Sequence, residues 1–315
     1  MAYRFKLSEP FDEGVRRIGL QQIDRALEQL RSAQGTGAAI HATRKGLKRI
    51  RALLRLARPG LGREVFAQEN ARYRDAGRLL SAARDRHVLV ETVTGLEQRS
   101  AGRTKLAFVS AHKKLLQQGP AAGEPPRPAI AEAIAMIEVG RTRMAELDAG
   151  GKGMDVAWHG LEQTYRKASR ALEHAYETLD NDMLHEFRKR VQHHWRHMAL
   201  LTAAWPELIE ARVATARQTS MLLGEDHDIA IMLAALKAGA GRPSKSSGTA
   251  LMLPVTPAQA KLIGAFAAAR QHELRAEARI LGRRLFAEDA RAFRDRVEAY
   301  WATDQAGAGT GKLPA

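Results

Sequence analysis

HATRKGLKRIRALLR (residues 41–55) is the stretch that decides the fold of this chain. His41, Arg44, Lys48, Arg51 and Arg55, with Arg58 just beyond, are spaced 3, 4, 3, 4 and 3 residues apart. A helix of about 3.6 residues per turn brings such positions onto one face. Leu47, Ile50, Leu53, Leu54 and Ala57 take the other side and can pack inward. From Ala38 to Gly62 there is no acidic residue, while Arg44, Lys45, Lys48, Arg49, Arg51, Arg55 and Arg58 supply seven positive charges. Like charges one turn apart destabilise a helix by a few tenths of a kcal/mol per pair, and no interleaved Glu relieves them here. The row calls for an external anion. At a rise of about 1.5 Å per residue it runs for roughly 25 Å, a length that suits a polyanion.

The rest of the chain agrees with that reading. With 315 residues and 45% hydrophobic content, it is long enough and apolar enough to fill two cores of ordinary domain size. Lys and Arg number 50 against 35 Asp and Glu, a formal charge of +15 that exceeds what solubility needs. The acidic partners this admits are nucleic acid, an anionic membrane surface and a simpler polyphosphate. The sequence holds no cysteine, which excludes disulfides, zinc ribbons, iron–sulfur clusters and thiol catalysis and permits a reducing cytoplasm. MAYRFKLSEPFDEG at the start has no apolar core of signal-peptide length, and no run approaches the ~18 apolar residues of a membrane span. Only 5% of residues are aromatic, too few for the platforms on which single-stranded bases stack.

Alternating β-branched segments are nearly absent, and Ala, Leu, Arg, Glu and Gln dominate, so the fold class is all-α. Helices are expected at 11–33, 40–58, 62–98, 103–118, 129–148, 156–178, 183–204, 206–238, 257–284 and 287–302. Breaks fall at Gly35-Thr36-Gly37, Pro59-Gly60 and Pro206, and at two Gly- and Pro-rich loops, 119–128 and 238–257. Three local matches recur in order at nearly constant offset, which suggests an internal duplication. Arg25-Ala26-Leu27-Glu28 returns as Arg170-Ala171-Leu172-Glu173; HATRK (41–45) returns as HEFRK (185–189); Leu80 and Asp85 return as Leu223 and Asp228. The expected organisation is two pseudo-symmetric helical bundles, 1–149 and 150–303, around a central basic groove or channel, with a flexible tail at 304–315.

These motifs resemble the CHAD family, the conserved-histidine α-helical domain. The resemblance covers about Gly14 to Trp301 and rests on HATRKGLKRIRALLR, HEFRKRVQHHWR (185–196), LSAARDRHV (80–88) and LGEDHDIAI (223–231). It implies two related bundles whose basic helices line a central groove, and a ligand, inorganic polyphosphate, that is bound without chemistry. Carried onto matching positions, the implied binding residues are His41, Arg44, Lys45, Lys48, Arg49, Arg51 and Arg55 on the first helix. On the second they are His185, Arg188, Lys189, His193 and Arg196, with Arg74, Arg78 and Arg217 added from the following helices. Asp85 and Asp228 are read as acids that cap a helix or orient a basic side chain. The second copy departs from the pattern, because Gln192, His193, Trp195 and Ala199 stand where Lys48, Arg49, Arg51 and Arg55 stand in the first. The halves are therefore expected to be unequal, the first carrying most of the affinity. Protonation of His193, His194 and His197 is expected to tighten binding below about pH 6.5.

The resulting expectation is a cytoplasmic, non-catalytic binder with no cofactor and no membrane partner, for which attachment to polyphosphate granules is one role. Weak, sequence-independent nucleic-acid binding accompanies it, since any strongly basic surface attracts nucleic acid. Two alternatives stay open. His185 with Glu225-Asp226-His227-Asp228 resembles the ligand runs of metal phosphohydrolases. A purely nucleic-acid-binding helical protein is the other, although no reading head, zinc finger or aromatic pair is present. The run Ala306 to Leu313 looks like a phosphate-binding loop but lacks its first Gly and its Ser/Thr.

Overall fold

A computed structural model describes residues 3–32, 36–81, 84–117, 125–240 and 252–309. Among them the chain is all-helical: α1 (Phe11–Ser32), α2 (Gly37–Leu56), α3 (Arg58–Leu79), α4 (Arg84–Arg99), α5 (Gly102–Gln117), α6 (Arg127–Ala145), α7 (Asp155–Thr178), α8 (Asn181–Leu200), α9 (Pro206–Ala240), α10 (Pro257–Leu285) and α11 (Ala290–Gly309). A single 3₁₀ turn, Thr202–Ala204, joins α8 to α9. No strand occurs among the described residues, and no helix there is long and apolar enough to cross a membrane.

Local chemistry sets several ends. Asp180 caps α8 by accepting from the backbone N–H of Asp182 and Met183, at 2.8 and 3.2 Å. Thr256 and Gln259 form a reciprocal capping box on α10, with Pro257 at the first helical position. Pro59 likewise falls in the first turn of α3, so the break between α2 and α3 comes at Ala57, two residues before it. Gly62, inside α3, takes φ 74° and puts a kink there that other residues resist.

Two segments differ from expectation. The segment 62–98 is two helices, because Leu80 is anchored in one core while Leu89, Val93 and Leu96 of α4 belong to another. No Gly or Pro marks the turn between them; packing imposes it. The C-terminal helix runs on to Gly309, held by Gln305, whose Nε2 donates to the Leu7 carbonyl at 3.0 Å. The tail therefore does not begin at 304, and the end of the loop-like run at 310–313 lies outside the described residues.

Neither core divides at residue 150. The larger one combines α1, α2, α3 and α6 with α7, α8, α11 and parts of α9 and α10. The smaller one joins α4 and α5 to the C-terminal part of α9 and to α10. Close backbone approach ties the halves together: a Cβ on Gly160 of α7 would lie 1.9 Å from the Leu56 carbonyl oxygen of α2. Helices α1 and α7 start at residues 11 and 155, and α2 and α8 at 37 and 181, so both pairs keep one spacing. The third helices do not, since α9 is continuous over 35 residues where the first half breaks into α3 and α4.

Candidate polyanion-binding surface

Burial of Leu47, Ile50, Leu53, Leu54 and Ala57 fixes the rotation of α2 and turns its basic face outward. That face is recessed rather than freely solvated, because α3, α7 and α8 flank it. Between α2 and α3, Arg44, Lys48, Arg51, Arg74 and Arg78 line a cleft of about 220 Å³, with Leu47, Tyr73, Gly77 and Ser81 completing the wall. None of the lining residues is acidic. Asp75 pairs with Arg74 through two bonds of 2.9 Å and with Arg78 at 3.2 Å. Arg51 is oriented by a 3.0 Å bond from its Nε to Asn70. Its pKa is lowered, first by burial and then by Arg74 and Arg78.

A second group forms beside α8. The Arg49 guanidinium lies 5.3 Å from the Tyr3 ring centroid and donates to Gln22 at 3.2 Å, while the Tyr3 hydroxyl donates to the Arg49 carbonyl at 2.8 Å. Arg196 is buried, 6% exposed, and burial pushes its pKa down to about 10; Tyr3 opposes the shift, and Arg49, Arg217 and Arg51 add to it. The Trp195 ring carries both Arg196, at 4.3 Å, and Arg217, at 4.8 Å. Trp195, which interrupts the basic row in sequence, thus holds two cations in space.

A third group closes over the end of the stripe. Arg55 of α2, Arg58 of α3, Lys167 of α7 and Arg190 and His193 of α8 surround one small pocket with Gln163 and Thr164. Arg55 is pushed down to about 10 by burial and then by Arg190, Arg51 and Arg58, against Glu186. Lys167 is lowered by burial and then by Arg58, Arg190 and Arg55. The Nε of Arg55 and the Nδ1 of His193 are buried without a hydrogen-bond partner. The neighbouring carboxylate, Glu186, is taken by Arg190 and, at 3.4 Å, by Lys189. Arg51 sits at the junction of all three groups, since it acts on Arg55 and Arg196 and is acted on by Arg74 and Arg78.

The remaining expected site residues fall elsewhere. His41 and Lys45 are exposed on the first turns of α2, ahead of the cleft, and Lys189 is exposed on α8. Arg188 lines a separate cleft of about 550 Å³ with Leu96, Arg99, Leu222, Glu225 and Asp228. His185 stacks on His227 at 4.1 Å and is pushed down to about 4, by burial first and then by His227, Lys189 and Arg188. The two H-x-x-R-K motifs therefore do not face each other across a symmetric groove. Asp228 lies in the middle of α9 and caps no helix end; the side chain of Asp85 lies outside the described residues.

The expected pH switch is overturned. His194 and His197 are 0% exposed and belong to the core. His197 donates from Nε2 to the Ala52 carbonyl at 2.9 Å, joining α8 to α2, and burial pushes its pKa down to about 3. His194 accepts from Arg212 at 3.0 Å among the rings of Tyr165, Phe286 and Phe293. His193 and His194 are also held well below the ordinary histidine value, again chiefly by burial. None of the three gains charge near pH 6.5. The acids of the LGEDHDIAI run are likewise engaged: Glu225 binds Arg99 and Arg270, and buried Asp226 accepts from Arg275 at 2.7 Å and Gln271 at 3.2 Å. Among the described residues no three His, Asp or Glu side chains gather as a metal site.

Lys167 and Arg190 lie outside the expected site residues, and Arg58, at the end of the stripe, joins them in the small pocket beside Arg55. Positions 144 residues before Lys167 and Arg190 are Ile23 and Gly46, so neither has a basic residue at the offset that separates the two H-x-x-R-K motifs. The Arg188-Lys189-Arg190 run was the available signal for Arg190; Lys167 had none.

A family model described as the CHAD domain matches residues 17–237. No curated protein and no solved structure matches the chain.

Proposed function

The chain belongs to the CHAD-domain family, and from that premise we propose that it binds inorganic polyphosphate, without catalysis, along the recessed basic face of α2. The observation that carries this reading is the crowding of cations from α2, α3, α7 and α8 into a recess where carboxylates are scarce and where burial first, and then the neighbouring cations, lower the pKa values of Arg51, Arg55 and Lys167. Such an arrangement opposes folding unless an anion neutralises it, and a bound polyanion that releases its counterions also supplies a salt-sensitive driving force.

Shape favours polyphosphate over nucleic acid. A cleft of about 220 Å³ between two helices admits a thin, flexible chain, whereas a duplex meets only its rim. Trp195 is occupied by two arginines and Tyr73 is buried, so neither serves as a platform for bases. Attachment to polyphosphate granules follows from this binding as the proposed cellular role.

The test is competition between long-chain polyphosphate and DNA or RNA of matched charge, titrated across salt. Polyphosphate should bind more tightly at physiological ionic strength, and phosphate should not be released from it. Binding no tighter than that of nucleic acid would sink the reading. Metal-dependent release of phosphate would replace it with the hydrolase alternative.

A further inference from the structure

Helix α5 keeps one face without a partner among the described residues. Its Ala107, Phe108, Ala111 and Leu115 turn inward against α4 and α10, with Phe108 edge-on to Phe266 at 5.9 Å between ring centroids. Leu106, Val109, Lys113 and Leu116 are spaced 3, 4 and 3 residues apart, so they share the opposite face. Leu106 is 68% exposed, Leu116 51% and Val109 42%. Single exposed apolar side chains are ordinary, but three in register on one outward face form a patch that the core does not use. Exposed cations surround it: on the helix circumference Arg103 and Lys114 fall to one side, Lys105 to the other, and Lys113 within it. On α10, packed beside α5, Lys261 and Leu262 are exposed as well.

The charge of this region is one-sided. No acidic residue occurs from Gln98 to Gly123 or from Ile229 to His272, stretches that hold all of α5, the end of α9 and the first half of α10. The carboxylates at their borders are engaged: Glu97 with His112 at 2.9 Å, Glu225 with Arg99 and Arg270, and Glu273 with Arg270 at 3.0 Å. An occupant of the α5 face must therefore offer negative charge and an apolar layer together. A second copy of this chain would set cations against cations. Protein interfaces are depleted in Lys and depend on Trp, Tyr and Arg anchors, whereas this face has Lys105, Lys113 and Lys114 around aliphatic side chains. Lysines on flexible stems beside aliphatic anchors suit an anionic lipid surface. The apolar tips enter the acyl boundary while the ammonium groups reach back to lipid phosphates.

We propose that the outer face of α5 docks this protein on an anionic lipid bilayer, with Leu106, Val109 and Leu116 inserted at the headgroup boundary and Arg103, Lys105, Lys113 and Lys114 on lipid phosphates. Contact is peripheral, since no helix among the described residues is long and apolar enough to cross the membrane. The inference is independent of the polyphosphate reading, because α5 belongs to the smaller core and the α2 stripe to the larger. It replaces the expectation of no membrane partner, since the anchors sit on a helix other than the one that carries the basic stripe.

The test is co-sedimentation of the full chain with vesicles of equal phosphatidylglycerol and phosphatidylcholine, against vesicles of phosphatidylcholine alone. Binding should be confined to the anionic vesicles and weaken with salt. Leu106→Ser/Val109→Ser/Leu116→Ser leaves the charge unaltered and should weaken vesicle binding by at least about tenfold. Lys105→Gln/Lys113→Gln/Lys114→Gln should weaken it by roughly a hundredfold, about fivefold for each lysine. Both variants should keep their helicity by circular dichroism and bind polyphosphate within about twofold of the unaltered chain. If the serine variant binds vesicles as the unaltered chain does, while Arg44→Ala/Lys48→Ala/Arg51→Ala/Arg55→Ala loses them, the lipid adsorbs on the α2 stripe and the proposal is overturned. Equal binding to both kinds of vesicle, or to neither, also overturns it. Dimerisation that the serine variant abolishes, or saturable binding of an acidic amphipathic peptide in the absence of vesicle binding, would reassign the face to a protein partner.

Discussion

Helices α2 and α8 have the same length, begin 144 residues apart and open on the same H-x-x-R-K motif, yet they use their polar residues in opposite directions. Where α2 buries Ile50, Ala52 and Leu53, α8 buries His194, Arg196 and His197 at the positions 144 residues on. Basic and imidazole side chains that read as a weakened binding row are instead structural: His197 ties α8 to the Ala52 carbonyl, and Arg196 lies on Trp195. The lesson is that a basic residue's position in a recurring motif does not fix its role. On α2 the aliphatic side suffices for the core and leaves the charges outside, while on α8 the core itself takes in polar groups and must satisfy them.

The strongest way to break this contrast is to remove the outward charges of α2. Arg44→Ala, Lys48→Ala, Arg51→Ala and Arg55→Ala combined should weaken polyphosphate binding by roughly a hundredfold or more at low salt. The slope of log K against log salt should flatten by about three, with helicity by circular dichroism unchanged. The Arg188→Ala/Lys189→Ala pair on α8 should cost no more than about fivefold in the same titration, because those residues lie outside the cleft. Equal losses from the two helices would abolish the asymmetry.

Replacing His197 with Ala attacks the other side of the comparison. It removes a buried ring and its hydrogen bond to α2, so urea denaturation should report a loss of about 2–4 kcal/mol. The change at the surface should be slight by comparison.

Acidification probes the same histidines together. His197 has its folded pKa pushed down to about 3 and His185 to about 4, both below the unfolded value of about 6.5. A depressed histidine stabilises the fold fully above about pH 6.5 and loses that contribution as pH falls toward the folded value. The urea midpoint should therefore drop between pH 7 and pH 5, and polyphosphate affinity should fail to rise between pH 8 and pH 6. A rise that survives His41→Ala would mean that these rings are accessible and charging.

The smallest effect belongs to Trp195. Trp195→Leu takes away the surface under Arg196 and Arg217, at about 0.5–1 kcal/mol for the exposed Arg217 and about 2 kcal/mol for the buried Arg196, and should lower affinity by about threefold. Writing the α2 pattern into α8 with Trp195→Arg should not improve binding, since a third cation would replace the ring that holds two.

Much of the fold was legible because helix patterning is local. The spacing of Leu47, Ile50, Leu53 and Leu54 states which face of α2 turns inward without reference to any other segment. The break between α3 and α4 was not legible, because Ser81 and its neighbours carry no turn chemistry and only the separate cores of Leu80 and Leu89 force the chain to bend. For the site, Arg44, Lys48, Arg51 and Arg55 could be read from one stripe. Lys167 and Arg190 could not, since they reach the pocket beside Arg55 from two other helices.

By itself the sequence determined an all-helical chain, a basic face on α2 free of acids, and a surplus of positive charge. These are properties of composition and of periodicity within single segments. Only the tertiary structure decided which cations meet, which are recessed beside α3, α7 and α8, and which histidines vanish into the core. Those outcomes depend on how helices distant in the chain pack, and burial, rather than residue type, determines whether a cation is free to bind or occupied in holding the fold together.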